Sequence, residues 1–192
     1  MNILKARIKD IAKIQTGLYA KPEMQGNALY LQVKYFDEYG EINRHLKPDA
    51  LVDEKMRKHI LLDGDILFMA KGSRNAAVIF RSLSGEAVAS SSFIVVRLNE
   101  RFKSQILPEF LAWFINHPRS QELLKTHSKG SGIPSIALSG FSELEVTVPD
   151  IETQKSILTI QMLRTKEKQL INEINKLKDL FIQNQLFLRI QE

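Results

Sequence analysis

His45, His59, His117 and His127 are the four histidines of the chain, and no two stand close enough in sequence to present a metal pair from one turn or helix face. The acidic group Asp49, Asp53 and Glu54, followed by Lys55, shares residue types with the metal site of many nucleases, but its spacing is too compressed for that motif. The run Asp53 to Lys58 reads instead as a charged, solvated helical turn. Cysteine is absent, which excludes disulfides, thiolate metal sites and thiol nucleophiles. No phosphate-cradling glycine loop, dinucleotide fingerprint or nucleophile elbow occurs, nor the paired-proline and aromatic segment of amino-methyltransferases. The residues point away from catalysis and toward binding.

Binding chemistry concentrates in two short basic segments. In Lys71-Gly72-Ser73-Arg74-Asn75, a basic pair, a hydroxyl and an amide share a tight turn after a strand. Arg74 carries the planar fork that matches guanine, and Asn75 the amide that matches adenine. The same residues would also make an ordinary exposed hairpin turn, because Gly, Ser and Asn are turn formers. Lys129-Gly130-Ser131-Gly132 is a basic glycine-rich loop of the kind that orders on phosphates. Lys34, Tyr35 and Arg44 are further candidates, whereas Ser90, Ser91 and Ser92 fit a plain loop or strand edge. Lys plus Arg total 27 against 22 Asp plus Glu, a net charge of +5 that suits a polyanionic partner and equally suits ordinary solubility.

An α+β scaffold, mostly β with a few helices and then one long C-terminal helix, is expected to hold these segments. Ala28 to Val33 reads as a strand, with a turn from Asp37 to Gly40 after it. Leu61-Leu62-Asp63-Gly64-Asp65 is a turn launching the apolar run Ile66 to Met69, and Asn75 to Phe80 and Phe93 to Leu98 are further strands. Pro108 opens a helix through Ile115, with Trp113 and Phe114 on its core face; Pro118 interrupts it, and Arg119 to Thr126 resumes it. Leu144 to Val148 is a last strand. The character changes at Pro149, so a compact domain over 1–149 and a helix within 150–192 are expected. The N-terminus lacks the apolar run of a signal peptide and no segment is long enough to span a bilayer, so a cytoplasmic protein is the default.

The helix carries the clearest periodicity. Ile160, Leu163, Leu170, Ile174, Leu177, Phe181 and Leu188 follow alternating steps of three and four, interrupted at Glu167 and Asn184. A helix from Ile151 to Leu188 would extend roughly 55 Å, too far to bury its stripe on its own domain. A partner helix is expected, against the alternative of a helix folded back along the domain. Ile171, Leu180 and Phe187 widen the apolar face and suggest a second docking surface.

Three ordered segments resemble the specificity subunit of type I restriction-modification systems. They are Arg7 to Gly17, Leu62 to Gly72 with its Gly64-Asp65-Ile66 core, and Gly130 to Gln154 with the strand Leu144 to Val148 and Pro149 before the helix. The family often has a second proline where Asp150 stands, and Asp150 could cap the helix instead. Family members usually carry two recognition domains and two helices, whereas this chain has one of each; it is either a natural half-subunit or one half of a longer protein, and the Met1 start and the helix favour the former. The resemblance implies a non-catalytic module that reads half of a split double-stranded DNA target. It implies an antiparallel homodimer through the helix, with separate modification and restriction subunits docked on it. S-adenosylmethionine would sit on the modification subunit and no cofactor on this chain. The rival reading is a coiled-coil adaptor whose α+β domain binds protein.

Overall fold

The protein is described here by a computed structural model covering residues 3–20, 26–37, 40–42, 46–72, 75–82, 85–126, 128–129 in backbone only, and 135–190. The chain divides into two compact units, Met1–Ile151 and Glu152–Glu192.

The first unit runs β1 (Leu4–Arg7), α1 (Ile8–Ile11), β2 (Ala12–Thr16), β3 (Ala28–Leu31), β4 (Ile66–Met69), β5 (Ala77–Ile79), β6 (Glu86–Ala89) and β7 (Phe93–Leu98). It continues through α2 (Pro108–Asn116), α3 (Pro118–Thr126), β8 (Ser128–Lys129), β9 (Ser135–Ile136), α4 (Leu138–Ser142) and β10 (Glu145–Val148). The central sheet has the order β2-β7-β4-β5, antiparallel throughout.

Both faces of that sheet are buried, so its middle strands read as continuous apolar runs instead of alternating ones. Ile66, Phe68, Ile94 and Val96 face one core with Ile8 and Ile11 of α1, Leu111 and Ile115 of α2, Phe141 of α4 and Val146 of β10. Leu67, Met69, Phe93 and Val95 face the other, with Leu29 and Leu31 of β3 and Ala87 and Ala89 of β6. The pair β3–β6 is parallel, and β1 closes antiparallel on β10. The side chain of Asn116, at the end of α2, pairs with the backbone of Ala77 in both directions, each at 2.7 Å, and so covers the outer edge of β5.

Several expected boundaries shift. The strand from Ala28 ends at Leu31, because Val33–Tyr35 tightens into a 3₁₀ turn closed by Phe36 N–H on the Val33 carbonyl. The expected strand from Asn75 to Phe80 shortens to β5, since the Asn75 side chain turns back to the Met69 carbonyl at 2.9 Å. The charged run from Asp53 forms a turn and then a 3₁₀ helix over Arg57–His59. The strands β1, β2, β6, β8 and β9 were not expected from the sequence, and Lys129, expected in a glycine-rich loop, stands in β8.

The second unit is formed by α5 (Ile151–Leu188), 38 residues and therefore about 57 Å long. Ile160, Leu163, Leu170, Ile174, Leu177, Phe181 and Leu188 are all exposed, as are Met162, Ile171, Leu180, Ile182, Leu186 and Phe187. Among the described residues no helix is long and apolar enough to cross a membrane.

Candidate nucleic-acid interface

The basic turn after β4 is built by tight backbone closure. Met69 N–H donates to the Ala76 carbonyl at 2.8 Å, Ala70 N–H to the Ser92 carbonyl at 2.9 Å, and the Asn75 amide to the Met69 carbonyl. Gly72 holds a φ of 110°, a region that a side chain rarely tolerates, although a Cβ there would meet nothing. Lys71 is exposed on this turn. Asn75 is half-buried and staples the turn, in keeping with the turn-forming alternative for this segment.

Lys71 pairs in an antiparallel bridge with Ser135, and Ile136 N–H reaches the Ala70 carbonyl at 2.9 Å. On its other side Ser135 pairs with Lys129 in the β8–β9 hairpin. The backbones of Lys71 and Lys129 therefore flank one serine, about 10 Å apart at the usual strand spacing. One residue of each basic segment distinguished in the sequence, Lys71 and Lys129, is thus placed by its backbone on the same β edge. Ser73, Arg74, Ser131 and Arg44 lie outside the described residues.

Two further segments reach the same end of the central sheet. Thr16 pairs with Ile94 and Met69 with Phe93, so the exits of β2 and β4 and the entry of β7 lie together. The Ser90–Ser92 turn sits there, closed by Phe93 N–H on the Ser90 carbonyl at 2.9 Å. Gly17 donates to the Phe93 carbonyl at 3.0 Å, and a Cβ on Gly17 would fall 2.2 Å from the Ser90 oxygen. Beyond it stands Tyr19, exposed, which the sequence reading did not select. Gly17 closes the Arg7 to Gly17 motif, and that motif was the available signal.

Lys34 and Tyr35 occupy the 3₁₀ turn after β3. The Lys34 ammonium lies 5.0 Å from the Tyr35 ring centroid, and both line an open hollow of about 390 Å³ with Phe36, Asp37, Glu41 and Ile42. Two carboxylates share that hollow with one ammonium, an arrangement less suited to phosphate than the Lys71 edge.

At the opposite end of the sheet Asp65 is tied to Arg97 of β7. Nε and Nη2 of Arg97 donate to the two carboxylate oxygens at 2.7 and 2.6 Å, and Nη2 also reaches the Ile60 carbonyl at 2.9 Å. The Asp65 carboxylate further accepts Leu62 N–H at 2.9 Å. This pairing raises the Arg97 pKa above its ordinary value, with burial opposing it. Nearby, burial pushes the His59 pKa down, helped by Lys58 and Lys13, and its Nδ1 is buried without a hydrogen-bond partner.

The acidic residues considered for a nuclease are occupied locally. Asp49 accepts Tyr30 N–H and Asp53 accepts Met56 N–H, each at 2.9 Å. Among the described residues no group of three or more His, Asp and Glu could hold a metal ion.

The described residues form a layered mixed α/β unit and one long helix whose apolar stripe is exposed. The sequence pattern of the type I restriction modification DNA specificity domain matches residues 4–176, and the chain belongs to that family. The type I restriction enzyme MjaVIII specificity subunit of Methanocaldococcus jannaschii is 28% identical over 176 residues, covering 89% of this chain and 38% of that protein. Two solved structures share the fold. The S subunit of a type I restriction-modification system from M. genitalium superposes with a TM-score of 0.56 at 15% identity, covering 86% of this chain and 40% of that one. The HsdS subunit from Thermoanaerobacter tengcongensis gives 0.61 at 17% identity, covering 88% and 43%. The chain thus spans about two fifths of the length of these relatives.

Proposed function

We propose that this chain is a sequence-reading DNA module that recognises one half of a bipartite target and directs separate modification and restriction subunits to it. Family membership supports the DNA-specificity role. The observation that carries the residue-level reading is the meeting of Lys71 and Lys129 on either side of Ser135. A strand edge that carries the exposed Lys71 and brings the backbone of a second basic segment beside it suits a phosphate backbone, while neighbouring segments can reach base edges. Arg74, Ser73, Asn75 and Ser131 belong to the same two sequence segments, and Lys34, Tyr35 and Arg44 are outlying contacts in this reading.

Two copies pair antiparallel through Ile160, Leu163, Leu170, Ile174, Leu177, Phe181 and Leu188, holding two recognition units at a fixed separation. A two-fold dimer reads an inverted repeat with an uncontacted spacer. The chain performs no catalytic step. Methyl transfer from S-adenosylmethionine and cleavage belong to the partner subunits.

The test is a modification complex assembled with Lys71→Ala and Arg74→Ala in this chain. DNA binding by the intact complex should weaken steeply with salt, and the double variant should bind less tightly with a shallower salt slope. Unchanged methylation of the target by the double variant would remove these residues from the interface.

A further inference from the structure

No aromatic among the described residues is more exposed than Tyr19, at 77%. Its neighbours are the opposite. Tyr30 is 6% exposed, packed with Ala50 and Val88, and its hydroxyl donates to the Leu18 carbonyl at 3.0 Å while accepting Ala20 N–H at 3.3 Å. The two peptide groups flanking Tyr19 are thus tied to one buried hydroxyl. Leu18 N–H donates to the Ala89 carbonyl at 2.8 Å, and Gly17 fits against Ser90 only because it lacks a Cβ. Residues 17, 18 and 20 are anchored, and residue 19 alone is turned to solvent.

Such an arrangement presents a ring on fixed backbone, which lowers the ordering cost of using it for binding. Position says what it would bind. β2 and β4 flank β7, so the segments bearing Tyr19 and Lys71 leave the same end of the sheet about two strand spacings apart, roughly 10 Å. An aromatic ring beside an ammonium-bearing edge matches a nucleic-acid groove, where the cations meet phosphates and the ring meets bases.

We propose that Tyr19 is a sequence-reading residue whose ring packs against bases, and that Tyr30 is its positioning residue. This inference rests on the DNA-reading function proposed above. The test uses the full chain and a duplex that the wild type has enriched from a random pool, compared with a scrambled duplex of the same composition. Tyr19→Ala should lose about tenfold or more on the enriched duplex, with scrambled-duplex affinity and salt slope unchanged. Tyr19→Phe should keep most of the affinity. Tyr30→Phe retains the buried ring and loses only the hydroxyl. It should weaken the enriched duplex in the same direction and add little when combined with Tyr19→Ala. Wild-type affinity in Tyr19→Ala, or an equal loss on both duplexes, would overturn the assignment. If the wild type enriches no duplex at all, the DNA-reading function fails first and this inference falls with it.

Discussion

Asp65 and Arg97 form a two-pronged ion pair in which the Asp65 side chain is 2% exposed and that of Arg97 27%. The pair joins the turn that starts β4 to the adjacent strand β7, one residue beyond the Ile66–Val96 register partners. Asp65 is the acidic residue of the Gly64-Asp65-Ile66 motif, and its oxygens are committed to Arg97 and Leu62. The motif therefore serves the scaffold at the end of the sheet away from the basic edge.

Asp65→Ala should accordingly destabilise the recognition unit by about 3 kcal/mol, because it strands a partly buried guanidinium and frees a turn amide. Urea unfolding followed by the fluorescence of Trp113, the one tryptophan, checks this. A variant with wild-type stability and impaired DNA binding would instead make Asp65 a contact residue.

His59 gives the fold a pH dependence. Its folded pKa lies below the ordinary 6.5, mainly through burial and then through Lys58 and Lys13. The unfolded chain therefore takes up this proton first as pH falls. The stability is fully present above about pH 6.5 and is lost as pH drops toward the folded value. Urea midpoints measured across that interval should fall less steeply in His59→Gln than in the wild type.

Gly17→Ala tests the packing behind the loop end of the sheet. Its Cβ would meet the Ser90 and Ala89 carbonyl oxygens at 2.2 and 2.4 Å. Backbone must move, at a cost of about 1–3 kcal/mol. Thermal unfolding should show the loss, and binding of an enriched duplex should weaken with it.

The parts of this fold that depend on local pattern were legible in the sequence. The expected helix from Ile151 to Leu188 matches α5, and Phe93 to Leu98 matches β7, because heptad spacing and an apolar run are written along the chain. β2 was hidden because Ala12 to Thr16 has one large apolar residue, Ile14, between Lys13 and Gln15, too little alternation to mark a strand despite the β-branched Ile14 and Thr16. β6 was hidden because Glu86-Ala87-Val88-Ala89 gains its place from a parallel partner far away in sequence. The candidate interface was half legible. Residue types picked out Lys71 and Lys129, but only tertiary pairing through Ser135 joins them, and nothing local marks Tyr19 as turned outward.

The exposed stripe of α5 predicts association. Replacing Leu170 and Leu177 with Gln should weaken it by several kcal/mol, judged from large losses in packed cores. Sedimentation of the full chain should show a dimer that the double variant shifts to monomer. A wild-type chain that stays monomeric at high concentration would contradict the pairing.

Selection of duplexes from a random pool by the purified chain tests the central claim most directly. Enriched sequences should carry an inverted repeat with a spacer of constant length, and their retention should fall steeply as salt rises. Recovery of no enriched sequence, or of a single asymmetric site bound by one copy, would contradict it.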